Sequence, residues 1–218
     1  MILHLETSTK ICSVAISRDN TLIDYLDANP DQFIHGEALT VMIESLLMRN
    51  KLKISDLKAI SLANGPGSYT GLRIGLSTAK GLAIGLSIPI IALSSLVCLI
   101  ELANIAYPNR VIAAAFDARR DEVFMRIQRG KEVLLSDQPI VINAQLFSHY
   151  EGLLWVGDAN DKIRELLNNP KMDFDELVKP SARGQVALAH DRYVKGMFDE
   201  IETLIPNYTK AFYSGATG

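Results

Sequence analysis

Residues 64–85 read Asn64-Gly65-Pro66-Gly67-Ser68-Tyr69-Thr70-Gly71-Leu72-Arg73-Ile74-Gly75-Leu76-Ser77-Thr78-Ala79-Lys80-Gly81-Leu82-Ala83-Ile84-Gly85. The apolar run Ala59–Ala63 feeds a glycine-rich turn, and the turn opens into a helix from about Thr70 to Gly85. Strand, tight turn and helix in that order make a unit of an α/β fold. The turn has the outline of a phosphate cradle, because free N–H groups at a helix start attract anions. Neither phosphate code is met. A P-loop requires Lys-Ser or Lys-Thr after its last glycine, and Leu72-Arg73 follow Gly71 here; the third glycine of a dinucleotide fingerprint falls one residue late. Gly65, Gly67 and Ser68 are candidate anion contacts beside a plainer reading, in which the glycines only permit a tight turn.

The helix carries two stripes of small residues. Gly71, Gly75, Ala79 and Ala83 recur every four residues, and Ser77, Gly81 and Gly85 form a second row. An interior glycine costs about 1 kcal/mol relative to alanine, and close approach of another backbone offsets that cost. One stripe suits the chain's own sheet; the other is free to meet a partner helix. The rival reading is that both serve internal packing.

Upstream, Met1–Leu5, Ile11–Ser17 and Leu22–Leu26 are short β-rich runs with polar links, which predicts a three-stranded antiparallel meander. His35–Asn50 is helical by period, with Leu39, Met42, Ile43, Leu46 and Leu47 on one stripe and Val41, Ser45 and Met48 on a narrower one. Downstream, Pro89–Leu93 reads as a strand, and Ser94-Ser95 caps a helix to about Ile105. After Tyr107-Pro108-Asn109 the pattern restarts: strand Val111–Phe116, polar turn Asp117–Asp121, strand Glu122–Gln128, turn, strand Glu132–Leu135. Leu153–Val156 then reads as a strand, and Asp161–Leu167 and Gly184–Val194 as helices. This is an internal duplication. It predicts an α/β protein of two mixed domains, 1–107 and 108–213, with 214–218 a flexible tail. A meander followed by parallel strands and crossover helices is similar to ribonuclease H-like domains. Two in tandem are similar to the actin-like ATPase (ASKHA) superfamily.

The chain has 218 residues, 48% of them hydrophobic, and a net charge of -3. That supports a sizeable core and argues against unaided binding to nucleic acid, which rests on clustered Lys and Arg. Cys12 and Cys98 lie in apolar runs without metal-ligand spacing and read as buried free thiols. Glu6 interrupts the only apolar N-terminal run and no run reaches membrane-spanning length, so a cytoplasmic protein without a membrane segment is expected.

Catalytic and metal patterns are sparse. His4, His35, His149 and His190 are isolated, no His-x-x-x-His pair offers two ligands on one helix face, and no metal site is expected. There is no Gly-x-Ser-x-Gly elbow, and Ser68 has no evident base. Glu6-Thr7-Ser8-Thr9 ends the first strand, where actin-like ATPases hold an acidic residue and a hydroxyl-rich turn near phosphates and metal. Glu6, Thr7 and Ser8 are therefore candidate nucleotide or anion contacts, against a polar hairpin turn as the alternative. Arg119 and Arg120, in the matching turn of the second half, suit a phosphate or a partner carboxylate, or simply solvent.

Three stretches together closely resemble the TsaB (YeaZ) family: Ile2–Thr9 with Cys12–Ala15, Asn64–Gly85, and Asp117–Phe124. The run Gly65–Arg73 is very specific to that family. The resemblance covers the chain to about residue 130 and is weaker beyond. Pro206-Asn207-Tyr208-Thr209-Lys210 resembles the family's Pro-x-Tyr-x-Arg ending, with Lys210 where Arg is usual. The resemblance implies a non-catalytic relative of the enzyme TsaD that dimerises with it, recruits the ATPase TsaE and supports threonylcarbamoyl transfer to adenosine 37 of tRNAs reading ANN codons. It implies contact through helices His35–Asn50 and Thr70–Gly85, with Met42, Leu46, Arg73, Gly75, Thr78, Ala79 and Leu82 as exposed interface candidates. It implies tRNA contact only through the complex, a homodimer in isolation, and no cofactor on its own, with ATP or ADP placed, if anywhere, at the interface between subunits. The alternative from the residues is a small actin-like ATPase or kinase using Glu6, Thr7 and Gly65–Ser68; a peptidase ranks below it for want of a nucleophile–base pair.

Overall fold

Strand β1 (Ile2–Glu6) is buried on both faces, and its alternation sets the layers of the molecule. In the computed structural model, which describes residues 1–28, 35–143, 147, 150, 152–169 and 172–209, Leu3 and Leu5 point into one core while Ile2 points into another. Antiparallel β2 (Ser13–Arg18) and β3 (Thr21–Asp27) complete the meander, with Asp19 and Asn20 both at positive φ in the hairpin turn. Helix α1 (His35–Arg49) leads through a short 3-10 turn (Ile54–Asp56) to β4 (Ala59–Ala63), parallel to β1. Helix α2 (Tyr69–Leu86) returns the chain to β5 (Ile90–Leu93), giving the sheet order β3-β2-β1-β4-β5.

The second half repeats this plan. Helix α3 (Ser95–Ala106) is followed by β6 (Val111–Asp117), β7 (Glu122–Arg129), β8 (Glu132–Val141), β9 (Leu154–Val156), α4 (Asn160–Leu167) and β10 (Asp173–Asp175). The sheet order β8-β7-β6-β9-β10 matches that of the first sheet position for position, so the duplication is real at the level of topology. A 3-10 turn (Ala182–Gln185) runs into α5 (Val186–Val194).

The layers stack as α1 with α2, first sheet, α3 with α5, second sheet, α4. Leu3, Leu5, Val14, Ile16, Ile60 and Leu62 meet Leu39, Ile43, Leu46, Leu76 and Ala79 on one side of the first sheet. Ile2, Ala59 and Ile91 meet Ala189 of α5 on the other. Leu96, Leu99, Ile100 and Ala103 of α3 pack on Ile112, Ala114, Phe116 and Leu154 of the second sheet, whose far side holds Trp155, Met125 and Ile163 of α4. The halves thus exchange helices in the middle layer: α3 lies on the second sheet and α5 on the first.

Three elements differ from the sequence reading. Strand β8 continues from Leu135 to Val141; it is an edge strand, which tolerates Pro139 because no neighbour needs its missing N–H. Strand β10 has only three residues and no alternation to reveal it. Helix α5 begins at Val186, because residues 182–185 tighten into a 3-10 turn capped by Ser181. Lys210 and the 214–218 tail lie outside the described residues.

Candidate functional site

The turn after β1 and the glycine loop are pressed together. Ser68 N donates to the Ser8 carbonyl at 2.6 Å, and a β-carbon at Gly67 would overlap Ser8. Gly65 N donates to the Ser95 hydroxyl at 3.0 Å, and Ser95 N returns a bond to the Gly65 carbonyl at 2.9 Å. The Ser68 hydroxyl caps α2 by accepting from Gly71 N at 3.2 Å. The loop's N–H donors at 65, 68 and 71 are therefore engaged within the chain, where an anion cradle would leave them open.

The C-terminal strand of chain closes the same place. Asn207 N donates to the Asn64 carbonyl at 2.8 Å, Asn64 Nδ2 donates to the Ile205 carbonyl at 2.8 Å, and a β-carbon at Gly65 would overlap the Asn207 carbonyl. Arg73 Nε donates to the Tyr208 hydroxyl at 2.9 Å, and its guanidinium lies 4.0 Å above the Tyr69 ring. Tyr208 and Tyr69 stand 5.0 Å apart. This filling of the loop by residues 205–208 was not legible in the sequence, since the contacts span about 140 residues.

Glu6, Thr7 and Ser8 are buried. Burial pushes the Glu6 carboxyl up to about 7, partly opposed by Ser8, whose N–H donates to Oε1 at 2.7 Å. In the second half, Asp117 holds the matching position but is exposed, accepts from Arg119 N at 2.7 Å and pairs with Lys162. Arg119 and Arg120 form the left-handed centre of that hairpin turn. Among the described residues no group of three or more His, Cys, Asp or Glu side chains is placed to hold a metal ion. Cys12 and Cys98 are buried free thiols, and burial raises both, Cys12 to about 12.

A wholly buried polar chain crosses the first sheet beside this turn. The Ser61 hydroxyl donates to Gln185 Oε1, so it accepts from His4 Nδ1 at 2.8 Å, and His4 Nε2 accepts from the Ser17 hydroxyl at 2.7 Å. Gln185 Nε2 donates to the Leu5 carbonyl at 2.7 Å. Burial depresses His4 to about 3, which keeps the ring neutral. His4 is a structural link between β1 and the segment that precedes α5.

The faces of α1 and α2 are now assigned. Gly71, Gly75, Ala79 and Ala83 point inward; β-carbons at 71 and 75 would overlap Thr7. The expectation that Leu46, Gly75 and Ala79 are exposed is corrected: all three are buried, Leu46 and Ala79 in the core between the two helices and the first sheet and Gly75 against Thr7. Met42, Thr78 and Leu82 are half-buried, and Arg73 is exposed. Thr78 and Leu82 line an open groove of about 420 Å³ between α1 and α2 with Ile43, Leu47, Met48 and Ile54. The outward face carries Ser77, Gly81 and Gly85, and β-carbons at 81 and 85 would meet nothing within 4 Å. Val41 (62%) and Met48 (70%) of α1 and Ile84 (65%) of α2 are exposed. Large exposed apolar side chains on both helices and open glycines on α2 make a surface suited to another helix.

A protein-family model described as TsaD, tRNA N6-adenosine threonylcarbamoyltransferase, matches residues 33–191. The chain is 34% identical to the tRNA threonylcarbamoyladenosine biosynthesis protein TsaB of Escherichia coli (strain K12), over 96% of this chain and 94% of that protein. It is 39% identical to the protein of the same name from Bacillus subtilis (strain 168), over 62% of this chain and 57% of that one. A solved Pseudomonas aeruginosa protein, described as similar to peptidase YEAZ, superposes with a TM-score of 0.82 at 27% identity, covering 96% of this chain and 99% of that one. An Arthrobacter polyphosphate/ATP-glucomannokinase, TM-score 0.50 at 8% identity over 89% of this chain and 98% of that one, shares the fold alone. Two five-stranded sheets of matching order are the paired mixed α/β architecture expected from the sequence. The chain belongs to the TsaB (YeaZ) family.

Proposed function

We propose that this TsaB-family chain acts in the biosynthesis of threonylcarbamoyladenosine in tRNA as a non-catalytic docking subunit. Its partner is the TsaD enzyme, met through the outward faces of α1 and α2. The ATPase TsaE joins that pair, tRNA is met only through the complex, and the setting is the cytoplasm. In isolation the same face pairs two copies of the chain. The chain holds no cofactor by itself; a nucleotide, when present, sits where partner subunits meet.

The observation that carries this reading is the contrast along α2. Gly71 and Gly75 of the inner stripe are consumed by the chain's own turn at Thr7, whereas Gly81 and Gly85 face open space on a helix that also exposes Ile84. An interior glycine without a neighbour costs helix stability, and a partner backbone at close range offsets that cost. Engagement of the glycine-loop donors by Ser8, Ser95 and Ser68 speaks against an independent ATPase or kinase.

The test is co-purification with TsaD. Gly81→Trp should leave the fold intact and weaken the pair at least tenfold. Wild-type affinity in that variant would overturn the interface.

A further inference from the structure

A second groove opens on the opposite side of the first sheet, between the exchanged helices of the middle layer. It has a volume of about 670 Å³ and lies between the C-terminal end of α3, the β2–β3 turn, and the start of α5. Its apolar lining includes Leu22, Leu102, Ile105, Val178 and Ala187, with Leu177 on the lip. Ile105 is 77% exposed and Leu177 91% exposed. None of these residues belongs to the α1–α2 face, which lies across the first sheet from α5.

The charge of this groove is one-sided. Among the described residues that line it the one cation is Arg183, which is already committed: it pairs with Asp27 at 3.5 Å, donates to the Ser181 hydroxyl at 3.1 Å and lies 4.3 Å from the Tyr25 ring. Its carboxylates are Glu101 and Asp175. Asp175 accepts only neutral donors: the Tyr107 hydroxyl at 2.7 Å, Leu177 N at 2.6 Å and Val178 N at 3.2 Å. Glu101 is hydrogen-bonded by the Asn104 side chain and feels the charge of Lys131, which does not line the groove. The last carbonyls of α3 open into the same end, and a helix C-terminus adds partial negative charge.

We infer that this groove is a second docking site, taking a short segment of a partner protein with two apolar side chains and an adjacent Lys or Arg. The apolar pair fills the space between Leu102, Ile105 and Ala187; the cation meets Glu101, Asp175 and the end of α3. A segment seated there touches both α3, which rests on the second sheet, and α5, which rests on the first, so it bridges the two halves of the molecule. Burial of apolar side chains supplies the affinity, and the carboxylates select against acidic or neutral segments.

The test is selection of a random twelve-residue peptide library on the immobilised full chain, followed by fluorescence anisotropy of enriched peptides. The expected class carries a basic residue beside an apolar pair. It binds Ile105→Glu and Leu177→Glu variants at least tenfold more weakly, loses its preference for the basic residue on Glu101→Gln, and binds Ile84→Glu, altered on the other face, as it binds the wild type. Residues 105 and 177 are exposed enough for these variants to fold, which circular dichroism verifies. Absence of any peptide sensitive to Ile105→Glu overturns the site, and a sensitive class with neutral or acidic consensus overturns its charge selection.

Discussion

Gly75 of α2 rests directly on Thr7 at the end of β1: a β-carbon at position 75 would overlap the Thr7 hydroxyl oxygen and stand 3.5 Å from Thr7 Cβ. Thr7 is buried and β-branched, so it has little room to turn away. Six residues on, Gly81 has nothing within 4 Å. The same residue type on one helix therefore does two unrelated jobs.

Gly75→Ala should destabilise the fold by about 1–3 kcal/mol, the usual cost of overpacking a close contact. Gly81→Ala should stabilise it by up to about 1 kcal/mol, as replacement of an exposed helical glycine does. Urea denaturation of both variants checks this. Equal effects would mean that α2 is rotated from the orientation described.

The α1–α2 face should control self-association. Light scattering after size exclusion should show a dimer for the wild type and a monomer for Ile84→Asp, with unchanged circular dichroism. Ile84 is 65% exposed, so the substitution spares the core. A dimer that survives Ile84→Asp places the self-contact elsewhere.

Glu6 and His4 pull stability in opposite directions with pH. The folded Glu6 carboxyl stands near 7 against an ordinary 4.5, so the unfolded chain releases a proton that the folded chain keeps, and stability is lost as pH rises through that window. Folded His4 stands near 3 against 6.5, so the unfolded chain gains a proton as pH falls below 6.5, and stability is lost in that direction. Glu6→Gln should therefore gain on the wild type as pH rises from 4.5 to 7, by on the order of 1–3 kcal/mol. Chemical denaturation at several pH values reads the difference, and a difference that does not change with pH would remove Glu6 as its source.

Ser68→Ala should cost about 1 kcal/mol through the lost α2 cap, because the hydroxyl accepts from Gly71 N. It should leave partner binding within twofold, since the side chain works inside its own turn. Thermal denaturation and the TsaD pull-down together check it; a loss of binding without a loss of stability would make Ser68 a partner contact.

The sequence by itself determined the order of the elements apart from β10, the duplicated strand pattern, the family and the presence of two small stripes on α2, because period and turn chemistry are local properties. It singled out Ser77, Gly81 and Gly85 as a row without deciding that this row faces out. Only the tertiary structure decided that. Leu46, Gly75 and Ala79 are as apolar or small as interface residues must be, and what buries them is chain distant in sequence: the first sheet for Leu46 and Ala79, and Thr7 for Gly75. The same holds for Asn207 and Tyr208 against the glycine loop and the start of α2, and for Gln185 against Ser61 and Leu5. Neither pairing has a local signature, since each forms only when the C-terminal segments fold back across the first sheet. Periodicity states that a helix has two faces; which one is covered depends on what the rest of the chain lays against it.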